Sequence, residues 1–126
     1  LSLCADIDVA VIAAGVFNSG ILATGAGAAA RFNYEAAPAD VMGRVRSLSE
    51  ICARHNTPLG AAALQFAAAH PAVRSVITGV GSLTELAETR RWAEMPVPQA
   101  LWHDLVSAGL LRPDVPLPSA PEGTAP

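Results

Sequence analysis

The sequence contains no lysine: all eight of its basic residues are arginine, and its single tyrosine is Tyr34. Cysteine is scarce as well. Cys4 and Cys52 form neither a metal-ligand spacing nor a disulfide framework. Both read as small apolar residues, no metal site is expected, and a reducing cytoplasm is the default location. No apolar run approaches the roughly 20 residues of a membrane span, which argues against a transmembrane chain. The start lacks the basic stretch and cleavage site of a signal peptide, and position 1 is Leu, not Met. The expectation is a chain that begins in the middle of something longer.

Charge is also sparse. Charged residues make up 15% of the 126, with a net charge of −3, a balance that argues against a nucleic-acid partner. Hydrophobic residues reach 52%, above the share in a typical domain, and the mean hydropathy is +0.37,. The length suffices for one domain with a real core. So much apolar surface with so few charges points to faces meant to be covered, by more chain or by a partner.

Along the chain, Val9–Ala14 is continuously apolar and ends at Gly15, which fits a strand buried on both faces, as in a parallel sheet. Residues 15–37 carry Gly15, Gly20, Gly25 and Gly27 among small residues and read as a long loop. Pro38 then stands where a first helical residue would be, and Val41, Val45, Leu48 and Cys52 recur at helical spacing. Thr57-Pro58 is a second start signal. Leu59–Ala69 is apolar nearly all round, with Gln65 its lone polar side chain, and should be deeply buried. A strand over Val73–Thr78, a turn at Gly79–Gly81, a helix over Leu83–Glu94 and a last amphipathic helix over Pro98–Ala108 follow. Five prolines in 113–126 predict a disordered tail over 112–126. Strands alternating with helices imply an α/β class with parallel pairing. Two strands cannot close a barrel or make a stable open sheet.

The turn Gly79-Val80-Gly81-Ser82 ends a strand and opens a helix. It gathers free backbone N–H groups and the positive end of a helix dipole, which suits a phosphate. The bland reading is equally physical: Ser82-Leu83-Thr84-Glu85 is a capping box, and the glycines permit a tight turn. His55 and His70 sit at helix ends as dipole partners, and His103 faces solvent. Trp92 and Trp102 read as core cover, with the lining of a substrate pocket by a C-terminal aromatic as the alternative, and Tyr34 as a surface or packing residue.

Three segments in order, Gly15-Val16-Phe17-Asn18-Ser19-Gly20-Ile21-Leu22, Thr57-Pro58-Leu59-Gly60-Ala61-Ala62-Ala63-Leu64-Gln65-Phe66 and Ile77-Thr78-Gly79, resemble the aldo-keto reductase superfamily. Within it the chain is most similar to sugar dehydrogenases of the L-fucose or D-threo-aldose 1-dehydrogenase type. The resemblance runs from about Val9 to Leu111. It implies a (β/α)8 TIM barrel, with residues 1–111 as a helix-rich partial barrel domain carrying strands seven and eight. Active sites of such barrels lie at the C-terminal ends of the strands. The resemblance further implies a nicotinamide cofactor. Phe17, Asn18, Ser19, Gly20 and Leu22 would touch its pyrophosphate and ribose, and Gly79, Val80, Gly81 and Ser82 would form the phosphate-contacting turn. Glu88 and Thr89 fall where the family has Glu-Asn against the adenine, so Thr89 is a departure. Glu85 falls where NADP-dependent members often carry Arg. A carboxylate there repels a 2′-phosphate but accepts hydrogen bonds from a ribose 2′-OH, which favours NAD over NADP.

Catalysis in this family uses Tyr, Lys, Asp and His on the first four strands. Without lysine this chain cannot assemble that set, so no catalytic residue is assigned. The expectation is an inactive fragment of a sugar dehydrogenase that lacks its N-terminal barrel half, in cis or in trans as a split enzyme. A non-enzymatic helical interaction or oligomerisation module is the alternative.

Overall fold

Parallel pairing of two distant strands organises the chain. In the computed structural model, which describes residues 1–119, β1 (Val11–Ala14) lies parallel to β4 (Val73–Ile77). The register sets Val11 opposite Val73 and Ala14 opposite Ile77, with an irregularity between Val11 and Ile12. A parallel pair needs a long crossover. Here it contains α2 (Ile21–Thr24), a hairpin of β2 (Arg31–Phe32) and β3 (Glu35–Ala36), α3 (Ala39–Arg54) and α4 (Leu59–Ala68). A short α1 (Ser2–Asp6) precedes β1, and α5 (Leu83–Glu94) and α6 (Gln99–Ser107) follow β4.

The long helices stand within a residue or two of the expected bounds, because Pro38, Pro58 and Pro98 each take the N-cap position with extended ψ,. The connection 15–37 is more ordered than expected. Asn33 and Tyr34, at φ 51° and 68°, form the two-residue turn of the hairpin, and positive φ at both central residues is what a type I′ turn requires. Strands of two residues carry no readable period, so nothing in the pattern announced them.

β1 corrects the expectation of a strand buried on both faces. Its burial alternates: Val11 and Ala13 turn toward the helices, while Ile12 is 61% exposed. In β4, Val76 packs inward against the core and Ile77 is 56% exposed. Helices cover one face of this sheet, and among the described residues nothing covers the other.

Two apolar clusters hold the helices. One gathers Ile51 and Cys52 of α3, Ala62 of α4, Val97, and Leu101, Trp102 and Leu105 of α6, with Phe66 stacked on Trp102 at 6.3 Å. Leu117 packs against it, and Gln99 Nε2 donates to the Pro118 carbonyl at 2.8 Å. The packed chain thus continues past the boundary drawn at Leu111. Residues 120–126, the rest of the tail expected to be disordered, lie outside the described residues. The other cluster joins Ala61 and Leu64 of α4 to Trp92 of α5, with Val16 and Phe17 against it. Gln65 ties α4 to α5, donating at 2.8 Å to the carbonyls of both Trp92 and Met95. Those are carbonyls at a helix C-terminus, which lack partners inside the helix. His55 caps α3 and reaches Asp104 Oδ2 at 2.8 Å, His70 Nδ1 accepts the Ala72 amide, and His103 is exposed. Cys4 is only half-buried.

Gly60 is the tightest point in this packing. A Cβ there would lie no farther than 2.7 Å from Cζ3, Cη2 and Cε3 of Trp92, so only glycine lets α4 and α5 meet at this distance. Gly60→Ala is expected to cost about 3 kcal/mol, the upper end of overpacking penalties, as measured by urea unfolding. Cys52 supplies a second prediction. Burial pushes its thiol up from 9.0 to about 11, partly opposed by a backbone hydrogen bond. The folded chain therefore holds the thiol proton more tightly than the unfolded chain does. That contribution is complete below pH 9 and is lost as pH rises toward 11,. Melting temperature should fall over this window more steeply in the wild type than in Cys52→Ala.

Candidate cofactor-binding site

Because β1 and β4 are parallel, the loops that leave their C-terminal ends emerge side by side. Gly15 (φ 66°) turns the chain out of β1, and Thr78-Gly79-Val80 turns it out of β4. Between them lies a cavity of about 420 Å³. Its lining takes Phe17, Asn18, Ser19 and Gly20 from the first loop, Gly79 and Val80 from the second, and Glu85, Glu88 and Thr89 from α5. Nine of the twelve expected site residues thus share one cavity.

Leu22, Gly81 and Ser82 do not line it. Leu22 is half-buried in α2, its amide donating to the Phe17 carbonyl at 3.1 Å. Ser82 is the N-cap of α5, its Oγ accepting the Glu85 amide at 3.1 Å. The Glu85 carboxylate bends back to accept the Gly81 amide at 2.6 Å. This is a capping box shifted by one residue, since the acid reaches the residue before the N-cap and not the N-cap itself. The anion at this helix N-terminus is thus the chain's own.

The first loop is strained and pinned. Asn18, Ser19 and Gly20 hold φ of 42°, 58° and 91° in succession, a left-handed run that side chains disfavour. Two bonds to the hairpin hold it: Asn18 Oδ1 accepts the Asn33 amide at 2.9 Å, and Ser19 Oγ accepts the Tyr34 amide at 2.8 Å. A hydroxyl that accepts an amide keeps its own proton free to donate. Ser19 therefore keeps a hydroxyl proton to donate, and Asn18 retains its NH2. The hairpin and Trp92 are what the sequence reading left out of the site. Tyr34, 87% exposed, stands at the rim, and Trp92 is in the wall. A period of three to four along α5 linking Glu85, Glu88 and Trp92 was the available signal for the tryptophan.

Glu85 and Glu88 are the only charged side chains in the lining. Arg91 lies 3.7 Å from Glu88, an exposed pair along the helix. Among the described residues no cluster of His, Cys, Asp or Glu could hold a metal ion, and no helix is long and apolar enough to cross a membrane.

The sequence model of the aldo/keto reductase family matches residues 1–109. The chain belongs to the aldo/keto reductase family. The resemblance drawn from the loop segments is thereby established, and the family fold is a TIM barrel, whose active sites lie at the C-terminal ends of the strands. Both loops of the cavity lie at those ends. Among similar proteins is pyridoxal 4-dehydrogenase of Microbacterium luteolum, 40% identical over 111 residues, which cover 88% of this chain and 32% of that protein. D-threo-aldose 1-dehydrogenase of Pseudomonas sp is 35% identical over 112 residues, covering 88% of this chain and 34% of that one. This aldo/keto reductase chain therefore spans about a third of the length of the curated relatives it matches. No solved structure matches it.

The pinning bonds are open to test. In Asn18→Ala the Asn33 amide, and in Ser19→Ala the Tyr34 amide, should exchange with solvent about fivefold faster, as loss of one hydrogen bond of about 1 kcal/mol requires. Hydrogen exchange by NMR reads each amide separately.

Proposed function

We propose that this chain is the cofactor-holding part of an NAD-dependent dehydrogenase that oxidises a sugar or a related alcohol. The observation that carries the reading is the meeting of two loops from adjacent parallel strands around one cavity. In this reading β1 and β4 are strands seven and eight of the barrel. The open sheet supports it: the described strands form only this parallel pair and the small hairpin, while Ile12 and Ile77 stand exposed on the uncovered face. More strands on either side and an interior packed by their side chains would cover that surface. They would come from a barrel portion in cis or in trans.

The residues present fit a dinucleotide. Ser19 can donate its hydroxyl proton and Asn18 its amide protons to pyrophosphate oxygens. Gly79 and Val80 bring backbone to the same cavity. Glu85 and Glu88 offer acceptors to ribose hydroxyls, and no Arg or His lines the cavity to balance a 2′-phosphate. At about 6 Å a carboxylate opposes each unit of phosphate charge by roughly 1–3 kcal/mol, which favours NAD over NADP. The bound nicotinamide would supply hydride acceptance from the alcohol carbon. By the family resemblance, the base that takes the proton of that alcohol would lie in the barrel portion outside this chain, which itself contains no lysine. The names of both relatives, a pyridoxal dehydrogenase and an aldose dehydrogenase, support a hydroxyl-bearing small molecule as substrate.

Mixed with NAD and L-fucose, the isolated chain should produce no reduced cofactor by absorbance. Joined to an in-frame upstream barrel half, or mixed with a separately encoded one, it should turn over. Turnover by the chain alone would sink the reading. In the active protein, Glu85→Arg should raise the NADP-to-NAD ratio of kcat/KM by about tenfold or more.

A further inference from the structure

Trp92 is 6% exposed, yet it forms part of the wall of the cavity between the two loops. Its indole is held from two sides. The six-membered ring faces Gly60 of α4 at a distance that admits no Cβ. Phe17 meets it edge to face, with ring centroids 5.7 Å apart and planes at 76°. Its backbone is fixed as well, since its carbonyl accepts from Gln65. On α5 it follows Glu88 by four residues and Glu85 by seven, so the three share one stripe of the helix.

The loop that carries Phe17 needs such a root. Its next three residues hold positive φ, and the hairpin that pins Asn18 and Ser19 is itself mostly exposed. Phe17, with Val16, instead joins the loop to the buried cluster of Ala61, Leu64 and Trp92. Moving the indole would shift Phe17, and with it the donors of Asn18 and Ser19, relative to the carboxylates of Glu85 and Glu88.

We propose that Trp92 is a positioning residue for the dinucleotide: seated in the Gly60 notch, it sets the distance between the Phe17 loop and the acidic stripe of α5 through its contact with Phe17. The proposal rests on reading the cavity as a nicotinamide dinucleotide site. Trp102 serves as an internal control, being packed in the other cluster against Phe66.

The test titrates NADH into the full-length protein. Trp92→Phe and Phe17→Leu should each weaken binding by about three- to tenfold, the range set by an aromatic pair, in protein that still melts cooperatively. The double variant should bind no more weakly than the worse single variant, because both remove one contact. Losses that multiply, or a Trp92→Phe protein of lowered melting temperature and unchanged NADH affinity, would overturn the proposal. An independent readout needs no change at Trp92. With fluorotryptophan incorporated, and the Trp92 and Trp102 resonances assigned by their loss in Trp92→Phe and Trp102→Phe, saturating NADH should shift the Trp92 fluorine signal and leave that of Trp102 in place. A Trp92 signal that stays put while NADH binds overturns the proposal alone. Absence of any NADH binding overturns the reading of the cavity together with it.

Discussion

The parallel pairing of β1 with β4 is the constraint from which the rest of this structure follows. Strands that run the same way place their C-terminal ends together, here Ala14 beside Ile77. Antiparallel pairing would put the same two loops at opposite ends of the sheet and leave no shared cavity. Parallel pairing demands a crossover that returns the chain to its starting end, and α3 and α4 supply it. α4 then has to lie against the sheet and α5 at once. That explains why its face is reduced to Gly60, Ala61 and Ala62, all buried, and why Gln65 spends its amide on the carbonyls ending α5.

The same geometry sets a competition at the second loop. A helix N-terminus beside a glycine turn attracts anions, and in this chain the anion is already present in Glu85, bound to the Gly81 amide. On the proposed reading, capping and ligand recognition draw on one carboxylate. A ligand whose nearest groups are hydroxyls can share it by donating to the oxygens left free. A ligand that brings a phosphate to the same spot has to displace or oppose it. The carboxylate that caps α5 is thus also part of the cavity lining.

Much of the fold was legible because its helix starts are marked locally: Pro38, Thr57-Pro58 and Pro96-Val97-Pro98 fix φ and remove a donor where the chain enters a helix. The glycine turn after Val73–Thr78 marked the strand-to-helix junction for the same local reason. Nine of the residues expected at the site line one cavity, and the order of the loop segments was what singled them out. What escaped was nonlocal or too short. The hairpin rests on two residues at positive φ and on side chains fifteen positions upstream. Trp92 read as core cover, and it is buried. Its place in the cavity wall depends on Phe17 and Gly60, from two other segments. β1 read as buried on both faces because its composition is apolar throughout, while the described chain covers only one side.

The sequence by itself determined the alternation of strand and helix, the family, and the lack of a lysine-assisted acid within this chain, because each is written in local residue types and their order. Tertiary structure alone decided which residues face one another. It left Gly81 and Ser82 outside the cavity, set Ser19 Oγ to accept the Tyr34 amide, and seated Trp92 between Gly60 and Phe17. The physical reason is that hydrogen-bond partners and packing contacts depend on distances across the fold, and spacing along the chain does not set those distances.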